Sequence, residues 1–308
     1  QAAQGIFGCV PMDVQEYIAD ALDIPIGLVT SHWGGTRIEP WTPPCGFESV
    51  PALKAILDSL ATLQPKTEGV KNLHQQPTVL YNRMLVPFVP FTFRGAIWYQ
   101  GESNLSDGPA YCDKMHALVN GWKKVFENPA LKFYFVQLAP YIYGGDGKSL
   151  PVMWETQQKF ASEEKDAGMA VITDVGNLRD IHPSDKETVG RRLALLALNR
   201  DYGFKGVKAD SPTLKESKVE NGKFVLTFNH AESWYTTGNE PAKNFEIAGE
   251  DGAFVPAAVE IRGAQLVVGS DKVAAPRQLR FMGDQSCEGN LYSEACLLPG
   301  AFHIQSNP

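Results

Sequence analysis

The 308 residues carry 28 Lys and Arg against 35 Asp and Glu, a formal net charge of −7, with 44% hydrophobic and 20% charged residues. That is the balance of a globular protein with enough chain to bury a sizeable core. The negative charge and the absence of any Lys/Arg run argue against a nucleic-acid partner or an anionic membrane surface, and no stretch approaches the roughly 20 apolar residues that span a bilayer.

The first residues, Gln1-Ala2-Ala3-Gln4, show neither an initiator Met nor the charged and apolar regions of a signal peptide, and the chain is read as trimmed or processed. Residues 13–22 predict a helix, with Val14, Tyr17, Ile18, Ala21 and Leu22 near a 3.6 period. Ile24 to Thr30 is a nearly continuous apolar run, expected as a buried parallel strand, and a Gly-rich turn follows at 31–37. Residues 48–63 predict a second helix, and a polar segment with Pro65 and Pro77 leads to a strand at Phe93–Tyr99. Helices around 110–127 and 151–166 alternate with strands at Phe133–Leu138 and Met169–Thr173. A last helix at 185–202 is expected to start in a capping box of Ser184 and Glu187.

Alternation of helices with strands that are apolar on both faces predicts an α/β fold with a mostly parallel sheet flanked by helices. The pattern changes near Tyr202-Gly203. Beyond it short β-rich segments dominate, most clearly Phe224–Phe228, Phe254–Ile261, Gln265–Val268 and Gln278–Phe281. The expected organisation is an α/β unit over 1–203 and a β-rich, sandwich-like subdomain over 204–308. Five cysteines are too few for a disulfide scaffold. Cys287 and Cys296 read equally as a small closed loop or as two free thiols, and no CxxC metal spacing exists.

Ligands of an open α/β sheet bind beyond the carboxyl ends of its strands. Three loops leave such ends, and each admits a structural reading beside a chemical one. In Ser31-His32-Trp33-Gly34-Gly35-Thr36, the paired glycines make either a tight strand-to-helix turn or backbone N–H donors for an oxyanion. Trp98-Tyr99-Gln100-Gly101-Glu102-Ser103-Asn104 offers a side-chain donor in Gln100 and a carboxylate in Glu102 that orients a neighbour, or it simply opens the next helix. In Asp174 to Pro183, His182 is a candidate general base and Asp180 a candidate partner that fixes its tautomer; a solvated loop is the alternative. His74, His116, His230 and His303 carry no partner pattern and read as surface or packing residues. A metal-dependent hydrolase using Asp174, Asp180 and His182 lacks a convincing ligand set.

Taken together, these loops resemble the sialate O-acetylesterases of the SGNH-hydrolase superfamily. Ile26 to Trp41, Arg94 to Asn104, and Asp180-Ile181-His182-Pro183 with Gly190 to Ala194 look like successive blocks of that family, and Phe133–Tyr141 and Phe245–Gly252 also match. The resemblance implies a flavodoxin-like SGNH fold without metal or cofactor. It also implies two-step acyl transfer from an O-acetylated sugar or glycan, with His182 as base and then acid and Asp180 orienting it. Gly34, Gly35 and Gln100 would stabilise the oxyanion, Glu102 would support them, and Trp33, Trp41 and Tyr99 would wall the sugar. Sialic acid is the preferred substrate, with acetylxylan or another polysaccharide, or a non-catalytic carbohydrate-binding fragment, as alternatives. The expected location is secreted, periplasmic or lysosomal.

One departure stands out. The family's nucleophilic Ser sits in a Gly-Gln-Ser-Asn block ahead of the 13–22 helix, and no such block stands there. The nucleophile is therefore expected on a separate N-terminal segment. Ser31 and Ser103 are the internal alternatives, and the Gln305-Ser306-Asn307 echo lacks the preceding Gly and strand.

Overall fold

A computed structural model describes residues 2–62 and 72–306, the side chains of 2–9 and 62 apart. Leu63, Pro65 and Asn307, which figured in the expectations above, lie outside the described residues. Helix α1 (Ala2–Leu22) starts well before the expected residue 13 and contains Pro11. From Val10 on it buries Val10, Val14 and Ile18, one side chain per turn. The expected helix at 48–63 is divided: α2 (Pro44–Glu48), a 3-10 turn at Pro51–Leu53 and α3 (Lys54–Thr62). Pro51 requires this break, since it has no N–H to continue a helical ladder and keeps Val50 extended.

Strand β1 (Gly95–Trp98), α4 (Ala110–Val125), β2 (Lys132–Val136), α5 (Ser149–Glu163), β3 (Ala167–Ala170) and α6 (Lys186–Asp201) follow in the predicted alternation. The sheet is parallel with order β1-β2-β3, Phe133 facing Ala96 and Ala167 in register. Its central strand sorts its side chains by pleat. Phe133 and Phe135 pack with Met115, Leu118, Trp122, Trp154 and Phe160 of α4 and α5. Tyr134 and Val136 point to the other face, with Val14 and Ile18 of α1 and Val189 and Leu193 of α6. Burying each of these large side chains contributes roughly 1.5–3 kcal/mol, which fixes the layer order.

Two expectations need correction. Ile24–Thr30 is not a strand: Ile24 and Val29 are about half exposed, and the Ile26 carbonyl accepts from Gln15 Nε2 at 2.7 Å rather than from a sheet neighbour. The α6 cap is Asp185, whose Oδ1 accepts from the Thr188 N–H at 2.9 Å, and not Ser184.

The rest of the chain is β-rich, as expected. Strands β4 (Thr213–Glu220), β5 (Lys223–Asn229), β6 (Trp234–Thr236), β7 (Phe245–Ala248), β8 (Val255–Pro256), β9 (Ala258–Arg262), β10 (Gln265–Gly269), β11 (Gln278–Phe281), β12 (Leu291–Ser293) and β13 (Phe302–Gln305) form antiparallel sheets. Their orders are β4-β5-β10-β9, β13-β11-β7-β8 and β12-β6. This region touches the α/β sheet's loops: Tyr292 Oη donates to Asp174 Oδ2 at 2.9 Å, and the Gln285 N–H to the Gly147 carbonyl at 3.0 Å. Cys287 and Cys296 are free thiols.

Helix α2 rides directly on α4. A Cβ at Gly46 would lie 2.2 Å from the Ala117 carbonyl oxygen, and one at Gly121 would lie 2.5 Å from Pro43 Cγ, so only glycine permits this approach. Among the described residues, no helix is long and apolar enough to cross a membrane.

Candidate active site

The loop leaving β1 meets the loop at 31–37 through a dense set of hydrogen bonds. Gln100 is buried, and its Nε2 donates to the Thr36 carbonyl at 2.9 Å and to Asn104 Oδ1 at 2.8 Å. Its Oε1 accepts from the Tyr111 hydroxyl at 2.8 Å. Because both N–H partners are pure acceptors, the amide orientation is fixed. The Gln100 side-chain donor that sequence reasoning assigned to an oxyanion is thus spent within the loop junction, on Thr36 and on Asn104. Ser103 Oγ donates to the Gly35 carbonyl at 2.9 Å, and Gln75 Nε2 donates to the same oxygen at 2.8 Å. Gly35 turns at φ +73°, where an L side chain is strained, and open space lies above it.

Beneath these loops lies a charged cluster that sequence reasoning missed. Arg37 donates to both oxygens of Asp107 at 2.8 and 2.9 Å and to Glu39 Oε1 at 3.0 Å. Lys114 of α4 reaches Glu39 at 2.6 Å and Asp107 at 2.7 Å. Asn104, fully buried, donates to Glu39 and Asp107 and accepts the Ile38 N–H at 2.9 Å. Two cations offset two anions. Burial alone would push Glu39 and Asp107 up, but hydrogen bonds from Arg37 and Lys114, and from Asn104 to Asp107, hold both carboxyls below their ordinary values. No local signal marks this cluster, since its members come from three separate segments.

The third loop joins the second through the start of α6. The Lys186 ammonium stands 5.8 Å from the centre of the Tyr99 ring and acts on Glu102. Burial raises Glu102, while the backbone N–H groups of Glu102 and Gly101 and the Lys186 charge oppose the rise. The loop after β2 closes in as well: the Ile142 N–H donates to the Leu178 carbonyl at 3.1 Å, and burial and Glu102 both raise the Tyr143 hydroxyl.

Within that third loop, Asp180 Oδ1 accepts the backbone N–H of His182 at 2.9 Å and lies 3.7 Å from His182 Nδ1. The carboxylate therefore shapes the turn first and stands beyond hydrogen-bond length from the ring. Asp180 is 60% exposed at its side chain. Asp174, considered above as a metal ligand, is committed to Arg192, whose two terminal nitrogens donate to its oxygens at 2.7 and 2.6 Å.

The remaining expected residues separate. Trp33 is 51% exposed and stacks on His74, ring centres 5.4 Å apart at 10°. Trp41 is 4% exposed, donates its indole N–H to Thr36 Oγ1 at 3.0 Å and packs edge-on against Trp98. It is core, so the expectation that it walls a sugar is corrected. Tyr99 is half-buried, and its hydroxyl is enclosed with no hydrogen-bond partner among the described residues. Ser31 Oγ is likewise buried and without a partner. Ser103 spends its proton on Gly35.

The family profile described as SASA, carbohydrate esterase, sialic acid-specific acetylesterase, matches residues 13–198. The chain is 29% identical over 272 residues to the sialate O-acetylesterase of Rattus norvegicus, covering 75% of this chain and 49% of that protein. It is 31% identical over 235 residues to that of Homo sapiens, covering 70% and 43%. The chain thus spans about half the length of the curated relatives it matches. The crystal structure of a carbohydrate acetylesterase from Xanthomonas citri superposes with a TM-score of 0.84 at 31% identity, covering 97% of this chain and 65% of that one. With more than half of its residues matched by the family profile and the same fold in a solved relative, the chain belongs to the carbohydrate esterase family of sialic acid-specific acetylesterases.

Proposed function

We propose that this chain carries the base and its orienting acid for a Ser-His-Asp carbohydrate O-acetylesterase of SGNH type. One observation supports this most: loops 31–37, 99–104 and 174–186 converge beyond β1 and β3, linked through Gln100, Ser103 and Lys186, with Asp180 and His182 in the last of them. His182 takes the proton of a serine as that oxygen attacks the acetyl carbonyl, then returns it to the departing sugar hydroxyl. Asp180 holds the His182 backbone and stabilises the imidazolium at short range. Backbone N–H groups at Gly34 and Gly35 are the oxyanion donors in this reading, open space lying beside Gly35, with Gln100 and Glu102 as their support. Trp33 offers an apolar ring to the sugar face.

The reading takes the serine from a separate segment bearing the Gly-Gln-Ser-Asn block, since Ser31 Oγ is buried and Ser103 Oγ donates to the Gly35 carbonyl. The preferred substrate is an O-acetylated sialic acid, acetylated xylan being the alternative, and the compartment is secretory, periplasmic or lysosomal. The division into units 1–203 and 204–308 belongs to the same proposal. The test is hydrolysis of p-nitrophenyl acetate, O-acetylated sialic acid and acetylated xylo-oligosaccharide by the protein and its His182→Ala variant. Release of acetate that survives the substitution overturns the assignment. Glycan binding with no turnover, and none restored by adding a Gly-Gln-Ser-Asn segment, would favour the carbohydrate-binding reading instead.

A further inference from the structure

Helices α4 and α5 bring together three side chains that the esterase reading does not use. Cys112 and His116 are four residues apart on α4, so both project from one face, and Glu163 ends α5 opposite them. Glu163 Oε2 lies 3.0 Å from His116 Nε2 and 3.4 Å from Cys112 Sγ. One ligand atom from each residue falls within 4.8 Å of the other two. Zinc bonds of about 2.3 Å to sulfur, 2.0–2.1 Å to imidazole nitrogen and 2.0–2.2 Å to carboxylate oxygen, at tetrahedral angles, separate the ligand atoms by roughly 3.4–3.6 Å. The Glu163–His116 and Glu163–Cys112 separations, 3.0 and 3.4 Å, already stand close to those values. The His116 ring is steadied against Phe160, ring centres 4.9 Å apart at 65°.

We propose that Cys112, His116 and Glu163 form a zinc site, with Sγ, Nε2 and a carboxylate oxygen as ligands and water in the fourth position. A thiolate, an imidazole and a carboxylate suit a borderline-soft divalent ion of the zinc type over Ca²⁺ or Mg²⁺, which take oxygen shells. Lys159 now fills part of this role as a cation: its ammonium pairs with Glu163 and stands 3.9 Å from Cys112 Sγ. Its side chain is largely exposed and swings into solvent when the metal enters. Cys112 is buried, while His116 and Glu163 reach solvent and give the ion a path in. Zinc takes the thiolate form of cysteine, so binding releases the Cys112 proton to solvent. The balanced step is Zn²⁺ plus Cys112–SH giving a Zn–S bond and one H⁺, with no change of oxidation state. The bound ion ties α4 to α5.

The test is a Co²⁺ titration of the intact, reduced protein, followed by displacement with Zn²⁺. The expected result is a thiolate-to-cobalt charge-transfer band that Zn²⁺ abolishes, with a Zn²⁺-dependent rise in melting temperature. Cys112→Ser loses the band. Glu163→Gln, a change at a solvent-facing site that leaves the fold intact, weakens binding by no less than the roughly 10-fold that loss of an outer hydrogen-bond partner costs a metal site. Absence of the band in the wild-type protein overturns the proposal. So does a band or a Zn²⁺ affinity that Glu163→Gln leaves unchanged, and so does a melting shift that persists in both variants.

Discussion

Replacing Lys114 by methionine keeps the aliphatic stem and removes one cation from the cluster beneath the loops. Its ammonium lies 2.6 Å from Glu39 and 2.7 Å from Asp107, and all three side chains are at most 13% exposed, so water screens them little. Removing one partner of a buried pair costs about 3–5 kcal/mol, because the other charge remains uncompensated. Two carboxylates remain here, yet Arg37 still contacts both, so the expected loss is about 3 kcal/mol at neutral pH. The pH dependence gives a second check. In the wild-type protein both carboxyls are held below their unfolded values, so their contribution is complete above that range and is lost as pH falls through the lowered folded values. In the variant, burial is opposed less and the folded values rise. The native variant then takes up protons more readily, and its deficit shrinks on acidification toward the ordinary carboxylate range of about 4. Urea unfolding of both proteins at neutral pH and near that range measures both effects. A loss below about 1 kcal/mol at neutral pH, or a deficit that grows on acidification, would refute the reasoning.

With the serine-bearing segment supplied, His182→Ala is expected to lower kcat for acetyl-ester hydrolysis by about 10⁴-fold or more, as loss of a triad member does, and steady-state kinetics showing near-native kcat would remove His182 from the role of base. Trp33→Ala should leave stability within about 0.5 kcal/mol but raise KM for a glycan ester roughly fivefold, the equivalent of one aromatic contact of about 1 kcal/mol. An unchanged KM would remove Trp33 from the sugar site. Gln100→Leu leaves the Thr36 carbonyl, Asn104 Oδ1 and the Tyr111 hydroxyl short of partners, and at about 1–3 kcal/mol for each unmet buried group it should cost at least about 2 kcal/mol in a denaturant titration. Full retention of stability would mean that the loop junction is held by something else.

What could be read in the sequence was whatever lies close along the chain. The Phe133–Leu138 run and the helices around it were legible because one strand buried on both faces, between helices with 3.6 periodicity, leaves few other arrangements. Ile24–Thr30 was misread for a physical reason: an apolar run reports an affinity for burial, while a strand also needs a hydrogen-bonding neighbour that the run does not name. The cap of α6 was misplaced by one residue because Ser184 and Asp185 are both competent, and only the bond to Thr188 distinguishes them. Gln100 was recognised as a side-chain donor, but its burial and its acceptors at Thr36 and Asn104 come only with the fold. The cluster of Arg37, Glu39, Asp107 and Lys114 was invisible for the same reason, since Glu39 and Lys114 are 75 residues apart. His116 read as a surface or packing residue because its partner Glu163 lies on another helix, 47 residues away along the chain.

The glycine contact between α2 and α4 bears on how the first loop can move. Side chains at an interface take up small displacements by changing rotamer, whereas two backbones in van der Waals contact have no such play. Gly46 against Ala117 and Gly121 against Pro43 therefore make 43–48 and α4 translate as one piece. Trp122 adds to this by donating its indole N–H to the Trp41 carbonyl at 3.1 Å. From Trp41 the coupling reaches Thr36 and Glu39, so a tilt of α4, including one imposed by a ligand bridging α4 and α5, is delivered undamped to the turn that holds Gly35.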